Sequence, residues 1–227
     1  MSRDKGLFIT FEGPDGAGKT TQIHKLARML ETQGVSFVLT REPGGTAIGD
    51  EIRSMILDPA HQALTDRTEI LLYAASRSQH VEEKIIPALK SGQVVLSDRF
   101  VDASIAYQAY GLGQPVKWVR EVNRFATGGL TPDRTYLIDV SPEAGRKRMK
   151  QRSGAPETGA TQRADELDRV ERRSLAYHQR VREGFQKILQ ENEQRICRIN
   201  GEQAANEVFH EIWEDFRSLW TQFKKTD

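Results

Sequence analysis

The sequence predicts an α/β protein: a doubly wound, five-stranded parallel sheet flanked by helices, with residues 1–227 forming one domain. Three observations carry this. Short apolar runs alternate with longer amphipathic stretches, no internal repeat or long linker divides the chain, and 227 residues are enough to bury one large core. In order, Leu7–Phe11, Val35–Leu39, Val94–Leu96, Thr135–Val140 and Arg195–Ile199 are the apolar runs expected as strands. Between them, Ile23, Leu26, Ala27 and Leu30 recur at helical spacing, and Val81, Ile85, Ile86 and Leu89 do the same. Asp165–Gln190 reads as a long charged helix with Leu175, Phe185, Ile188 and Leu189 as its apolar positions. At the C-terminus, Phe209, Ile212, Trp213, Phe216, Trp220 and Phe223 share one helical stripe, which reads as a core-packing face.

Composition narrows the function. Lys+Arg is 33 and Asp+Glu is 32, a balance that argues against a partner that is a nucleic acid polymer. Cys197 stands alone, so no intramolecular disulfide forms. The apolar run Ile70–Ala75 is too short to span a bilayer, so no membrane partner is expected. Met1–Lys5 leads into a short strand and not a signal-peptide core, so a cytoplasmic location is expected.

After the first strand, Gly13-Pro14-Asp15-Gly16-Ala17-Gly18-Lys19-Thr20 matches G-x-x-x-x-G-K-[ST] at every fixed position. The strand before it and the amphipathic helix after it are the context a phosphate loop requires, and point to the P-loop NTPase type of fold. Glycines let backbone N–H groups turn inward around phosphate oxygens, and the helix N-terminus adds its dipole. Lys19 is expected to reach the β- and γ-phosphates, and the Thr20 hydroxyl to bind Mg²⁺. The plainer alternative is a Gly-rich turn before a helix. No Asn-Lys pair occurs, so the N-K-x-D signature of a GTPase switch is missing.

Three further features accompany the loop. The strand Val94–Leu96 runs into Ser97-Asp98-Arg99, which puts a carboxylate at the ligand-binding edge of the sheet. Asp98 is expected to orient Mg²⁺ through water, and Arg99 to meet an anion; a surface salt bridge is the bland alternative. Tyr73 and Arg77 are four apart on one helix face and suit stacking and hydrogen bonding to a nucleobase, or ordinary helix packing with a surface arginine. Arg146-Lys147-Arg148-Met149-Lys150-Gln151-Arg152 holds five cations and precedes a Gly/Pro-rich segment, Ser153–Thr161. A solvated helix face and a plain connector fit this composition. So do charge neutralisation at a transferring phosphoryl group and a mobile lid.

With these residues on the page, the chain resembles bacterial thymidylate kinases, a family of nucleoside monophosphate kinases. The resemblance rests on Phe11–Gln22, on Thr40-Arg41-Glu42-Pro43-Gly44-Gly45-Thr46, Glu51-Ile52-Arg53 and Tyr73–Arg77, and on Asp98-Arg99-Phe100 and Ala106-Tyr107-Gln108, in the family's order. It implies ATP-dependent phosphorylation of dTMP to dTDP, in dTTP biosynthesis, by in-line transfer with Mg²⁺. ATP would lie against Gly13, Pro14, Asp15, Gly16, Ala17, Gly18, Lys19, Thr20 and Thr21. Arg148, with Arg146, would lie against adenine, and residues Asn200 to Gln203 would complete that pocket. Thr20 and Asp98 would serve the metal.

On the acceptor side, the resemblance implies that Asp15 holds the sugar's 3′-hydroxyl side, and that Arg41 and Arg99 grip the phosphate beside Glu42 and Arg53. Tyr73 would stack on thymine, Arg77, Ser104 and Gln108 would bond its edge, and Tyr107 would lie under the sugar. Lys19, Arg99 and Asp15 would be catalytic, joined by arginines from a lid at about 152–168: Arg152, Arg163 and Arg169. Ala103 and Ala109 stand where the family usually has serine and glycine, and Val170 replaces phenylalanine in Asp168-Arg169-Val170-Glu171. The P-loop has no arginine, as in the subclass that supplies its catalytic arginines from the lid. The five histidines fall outside these motifs. A homodimer is implied. The rivals are a kinase for another small nucleotide acceptor and a non-catalytic P-loop NTP-binding protein.

Overall fold

The computed structural model describes residues 6–153 and 167–226. Strand β1 (Leu7–Glu12) is buried along its whole length and lies at the centre of the sheet. It pairs in parallel with β3 (Val94–Asp98) on one side and with β4 (Arg134–Asp139) on the other. Strand β2 (Phe37–Arg41) adds beyond β3, and β5 (Ile196–Asn200) beyond β4, giving the order β2-β3-β1-β4-β5. Every pairing is parallel, as a buried sheet with helical crossovers requires.

The five expected strands therefore form, with ends shifted by one or two residues. β2 begins at Phe37, with two residues between it and the turn at 33–34, and the Ser36 carbonyl before it accepts from Val94 N at 3.0 Å. Its last pair sets Arg41 opposite Asp98, and β1 sets Phe11 opposite the same Asp98. Three chemically active strand ends thus meet at one edge. The chain leaves β1 to one side for β2 and β3 and to the other for β4 and β5, so this edge holds the topological switch point.

Side chains of β1 alternate between the two faces. Leu7, Ile9 and Phe11 pack with Ile23, Leu26 and Leu30 of α1 (Lys19–Thr32) and with Val208, Ile212 and Phe216 of α9 (Ala205–Thr226). Phe8 points the other way, onto Val81, Ile85, Leu89 and Phe100. A third cluster joins Leu137 and Ile196 to Tyr107, Val119 and Val181, Phe185 and Ile188 of α8 (Leu175–Glu191). The C-terminal aromatic stripe is core packing, with Trp213, Phe216, Trp220 and Phe223 stacked in succession.

Two helical expectations change. The helix expected from Asp165 begins at Leu175 among the described residues; before it, Asp168 Oδ1 accepts from the N–H groups of Val170 and Glu171 and closes a separate turn over residues 169–172. Ser174 then caps α8, accepting from Tyr177 N. The Val81–Leu89 pattern continues α3 (Asp66–His80) through a π-helical turn, Val81–Ile85, into α4 (Ile86–Lys90). The remaining helices are α2 (Ala47–Leu57), α5 (Val101–Ser104), which runs into π-helical Ile105–Gly111, α6 (Val116–Thr127) and α7 (Pro142–Ser153).

Candidate active site

The loop after β1 turns on glycines. Gly13 takes φ +138, and a Cβ there would sit 2.2 Å from the Ile138 carbonyl oxygen. Gly16 takes φ +76, and its Cβ would meet the Gly145 carbonyl oxygen at 2.3 Å. The backbone of α7 therefore rides directly on the phosphate loop. Helix α1 starts at Lys19 behind a left-handed Gly18 with no side-chain cap, so its first N–H groups face the loop's hollow.

Lys19 is buried, and Nζ donates to the carbonyls of Gly13 (3.1 Å) and Pro14 (2.9 Å). Burial, reinforced by the nearby Arg99 charge, pulls its pKa down to about 8. The Thr20 hydroxyl donates to Asp98 Oδ2 at 2.8 Å, which joins α1 to the end of β3.

Beside the loop, Arg99 adopts φ +72, a strained left-handed backbone for a non-glycine residue. Glu12 holds this turn. Its Oε1 accepts from Phe100 N at 2.7 Å and from Ala103 N at 3.2 Å. Burial, together with the nearby Asp102 charge, pushes Glu12 up to about 8. Arg99 Nη2 donates to Asp15 Oδ1 (2.5 Å) and to the Tyr107 hydroxyl (3.1 Å), which in turn donates to Asp15 Oδ2 (2.8 Å). Burial alone would raise Asp15, but Arg99 and Lys19 outweigh it and hold the carboxyl below its ordinary range. Nearby, Arg41 pairs with Asp50 at 2.9 Å, and Arg53 donates to the Pro43 carbonyl at 2.9 Å.

Farther in, Arg77 is buried within α3. It donates to Glu42 Oε2 (2.7 Å), to Ser104 Oγ (2.9 Å), to Asn123 Oδ1 and to the Phe100 carbonyl (3.1 Å). His80 Nδ1 meets the other Glu42 oxygen at 3.0 Å. Gln108 donates from Nε2 to Glu69 Oε1 at 3.2 Å, while its buried Oε1 has no partner.

One cavity of about 720 Å³ joins these groups. Its wall includes Asp15, Gly16, Gly18, Lys19, Thr20 and Thr21 at the loop, and Arg41, Glu42, Arg53, Asp98 and Arg99 at the strand ends. Tyr73, Arg77, Ser104, Tyr107, Gln108 and Arg148 complete the expected set. Gly13, Pro14 and Ala17 form the body of the loop behind that wall, and Asn200–Gln203 do not line it. Arg169 does not line it either. Its guanidinium is buried, bonded to Glu69 Oε2 (2.6 Å) and the Ile56 carbonyl (2.7 Å), because an uncompensated Glu69 carboxylate could not be buried there. Arg163 and the Arg152 side chain lie outside the described residues. Arg146 donates to the Arg173 carbonyl at 2.7 Å.

Sequence reasoning missed several members of this site. Asp168 and Glu171 line the cavity although in the sequence they read only as flanks of Arg169 and as acids of a solvated helix face. Glu69, His80 and Asn123 carry no motif; Glu69 and His80 had one local signal, their place one turn from Tyr73 and Arg77 on α3, whereas Asn123 reaches Arg77 from α6 with no local signal.

A phosphate loop at the switch point of a parallel sheet, opening into a cavity lined by opposed arginines, defines a P-loop nucleotide-binding phosphotransferase. The thymidylate kinase family model matches residues 11–212. The chain is 50% identical to a thymidylate kinase of Exiguobacterium sibiricum over 98% of each chain, and 46% identical to one of Geobacillus sp. over 90% of this chain and 93% of that one. The crystal structure of thymidylate kinase from Ehrlichia chaffeensis superimposes with a TM-score of 0.71 at 32% identity, covering 93% of this chain and 98% of that one. The chain belongs to the thymidylate kinase family.

Proposed function

We propose that the cavity holds ATP at its loop end and dTMP at its α3 end, with the Arg99–Asp15 pair between the two reacting phosphates. The activity is ATP-dependent phosphorylation of dTMP to dTDP, a step in dTTP biosynthesis. The observation that carries the residue-level reading is the continuity of one cavity from Lys19 to Gln108, whose buried Oε1 has no partner.

ATP phosphates lie against the loop N–H groups and Lys19, with Arg148 toward the adenine. Arg99 and Arg41 orient the attacking phosphate oxygen of dTMP, and Arg53 and Glu42 border the same anion. Asp15 and Tyr107, already bonded to each other, present the sugar floor. Tyr73 stacks on thymine, and Arg77, Ser104 and Gln108 border the base edge. No covalent enzyme intermediate forms; catalysis is positioning plus charge neutralisation.

Thr20 and Asp98 form an all-oxygen pair, the hard donors that Mg²⁺ prefers. Among the described residues no three His, Cys, Asp or Glu side chains gather as a complete metal cage, which fits an ion that shares its shell with phosphates and water. When bound there, Mg²⁺ would neutralise charge on the transferring phosphoryl group. The segment at about 152–168 is assigned as the lid, with Arg152 and Arg163 as its phosphate-directed arginines. Arg169 then acts by holding Glu69.

A homodimer forms, in this reading, through α2, α3 and α6. Met55, Leu71, Trp118 and Phe125 stand exposed on these neighbouring helices, with Phe125 90% exposed. No helix among the described residues is long and apolar enough to cross a membrane, and we assign the reaction to the cytoplasm.

Lys19→Ala tests the phosphate-loop assignment. Turnover should fall at least about 100-fold, the scale of losing one preorganised charge donor, while the thermal transition stays cooperative. Near-normal turnover overturns it.

A further inference from the structure

Glu69 lies one turn before Tyr73 on α3, and its side chain is fully buried. Its Oε2 accepts from Arg169 Nη2 and Arg173 Nη2, both at 2.6 Å. These two guanidinium groups already compensate its charge. Its other oxygen, Oε1, accepts from Gln108 Nε2 at 3.2 Å. A carboxylate held between two arginines accepts hydrogen bonds and donates none. It therefore imposes a direction on the Gln108 amide: nitrogen toward Glu69, oxygen away. Reversing the amide would set two buried oxygens against each other, with neither able to donate. The oxygen left over, Gln108 Oε1, is buried and unpartnered in a residue that lines the cavity.

We propose that Glu69 is a specificity-setting positioning residue, locking the Gln108 amide so that Oε1 accepts from the N3–H of a thymine or uracil ring. This rests on the reading of Gln108 as a base contact. A cytosine ring carries a lone pair at N3, so the same locked oxygen faces another acceptor and disfavours it. Glu69 itself touches no substrate; its effect passes through the orientation of one amide.

The test uses the full chain and measures dissociation constants for dTMP, dCMP and ATP by calorimetry, with competition for the weaker ligand. Glu69→Gln supplies a donor beside Gln108 and allows its amide to reverse. The ratio of dCMP to dTMP dissociation constants should fall about tenfold, the scale of one hydrogen bond, with ATP binding unchanged. Glu69→Asp, still acceptor-only, should keep the ratio. Gln108→Leu should lower the ratio too, and adding Glu69→Gln to it should change nothing further. Equal weakening of dTMP and dCMP by Glu69→Gln, with the ratio intact, makes Glu69 merely structural and overturns the proposal. An intact ratio in Gln108→Leu overturns the base-contact reading, and the proposal with it. If Glu69→Gln does not fold, a wild-type dTMP complex at a resolution that separates amide nitrogen from oxygen decides. Nitrogen toward Glu69 supports the lock, and nitrogen toward the base refutes it.

Discussion

Truncating Arg77 should damage stability as much as recognition. The guanidinium is 2% exposed and makes four hydrogen bonds, the strongest an ion pair with Glu42 at 2.7 Å. Glu42 is equally buried, so Arg77→Ala leaves its carboxylate with His80 as its remaining side-chain partner. Removing one member of a buried pair costs about 3–5 kcal/mol, chiefly because the remaining charge stays desolvated. For a domain of this size each kcal/mol lowers the melting temperature by roughly 2–4 °C, so a drop of about 6–20 °C is expected. Adding Glu42→Gln removes the orphaned charge and should recover part of the loss. Urea and thermal denaturation of both single variants and the double variant form the cycle, and steady-state kinetics should show dTMP weakened more than ATP. A loss below about 1 kcal/mol, or simple additivity in the double variant, would refute the reasoning.

Two other perturbations follow from the same geometry. Glu12, pushed up to about 8 from an ordinary 4.5, keeps its proton in the folded chain where the unfolded chain has lost it. Stability should therefore fall as pH rises between those values, and Glu12→Gln should flatten the slope in urea titrations from pH 5 to 8; an unchanged slope speaks against the burial argument. Gly16→Ala forces a side chain into φ +76 and a methyl group against the Gly145 carbonyl, so the loop or α7 must shift. A stability loss of about 1–3 kcal/mol and a raised KM for ATP are expected, and wild-type behaviour in both would count against the tight loop–helix contact.

The parts of this protein legible in its sequence are those where local spacing is itself the constraint. The phosphate loop needs glycines at set intervals because φ is positive at Gly13, Gly16 and Gly18 and neighbouring carbonyls leave no room for Cβ at the first two, and that spacing survives reading without coordinates. Tyr73 and Arg77 were legible as neighbours because four residues make one helical turn, and both do line the cavity. Buried partnerships between distant segments were not legible. Nothing near Glu69 announces that residues 108, 169 and 173 converge on it, and nothing near Asp102 points to Arg195, which pairs with it at 2.7 Å. Arg169 shows the cost of reading a motif without its partners. Its position beside the proposed lid suggested a phosphate contact, whereas its guanidinium is committed to Glu69. The start of α8 has a local marker that a period count overlooks, the Ser174 hydroxyl capping Tyr177 N, while the Asp168 side chain closes a separate turn before it.

The most direct measurement is ADP release from Mg·ATP with dTMP, dUMP, dCMP and dGMP assayed side by side. A cavity that joins the phosphate loop to a base pocket lined by Tyr73, Arg77 and Gln108 should release ADP fastest with dTMP, less with dUMP, and near background with dCMP and dGMP. ADP release that is independent of the acceptor, or fastest with dGMP, would contradict it.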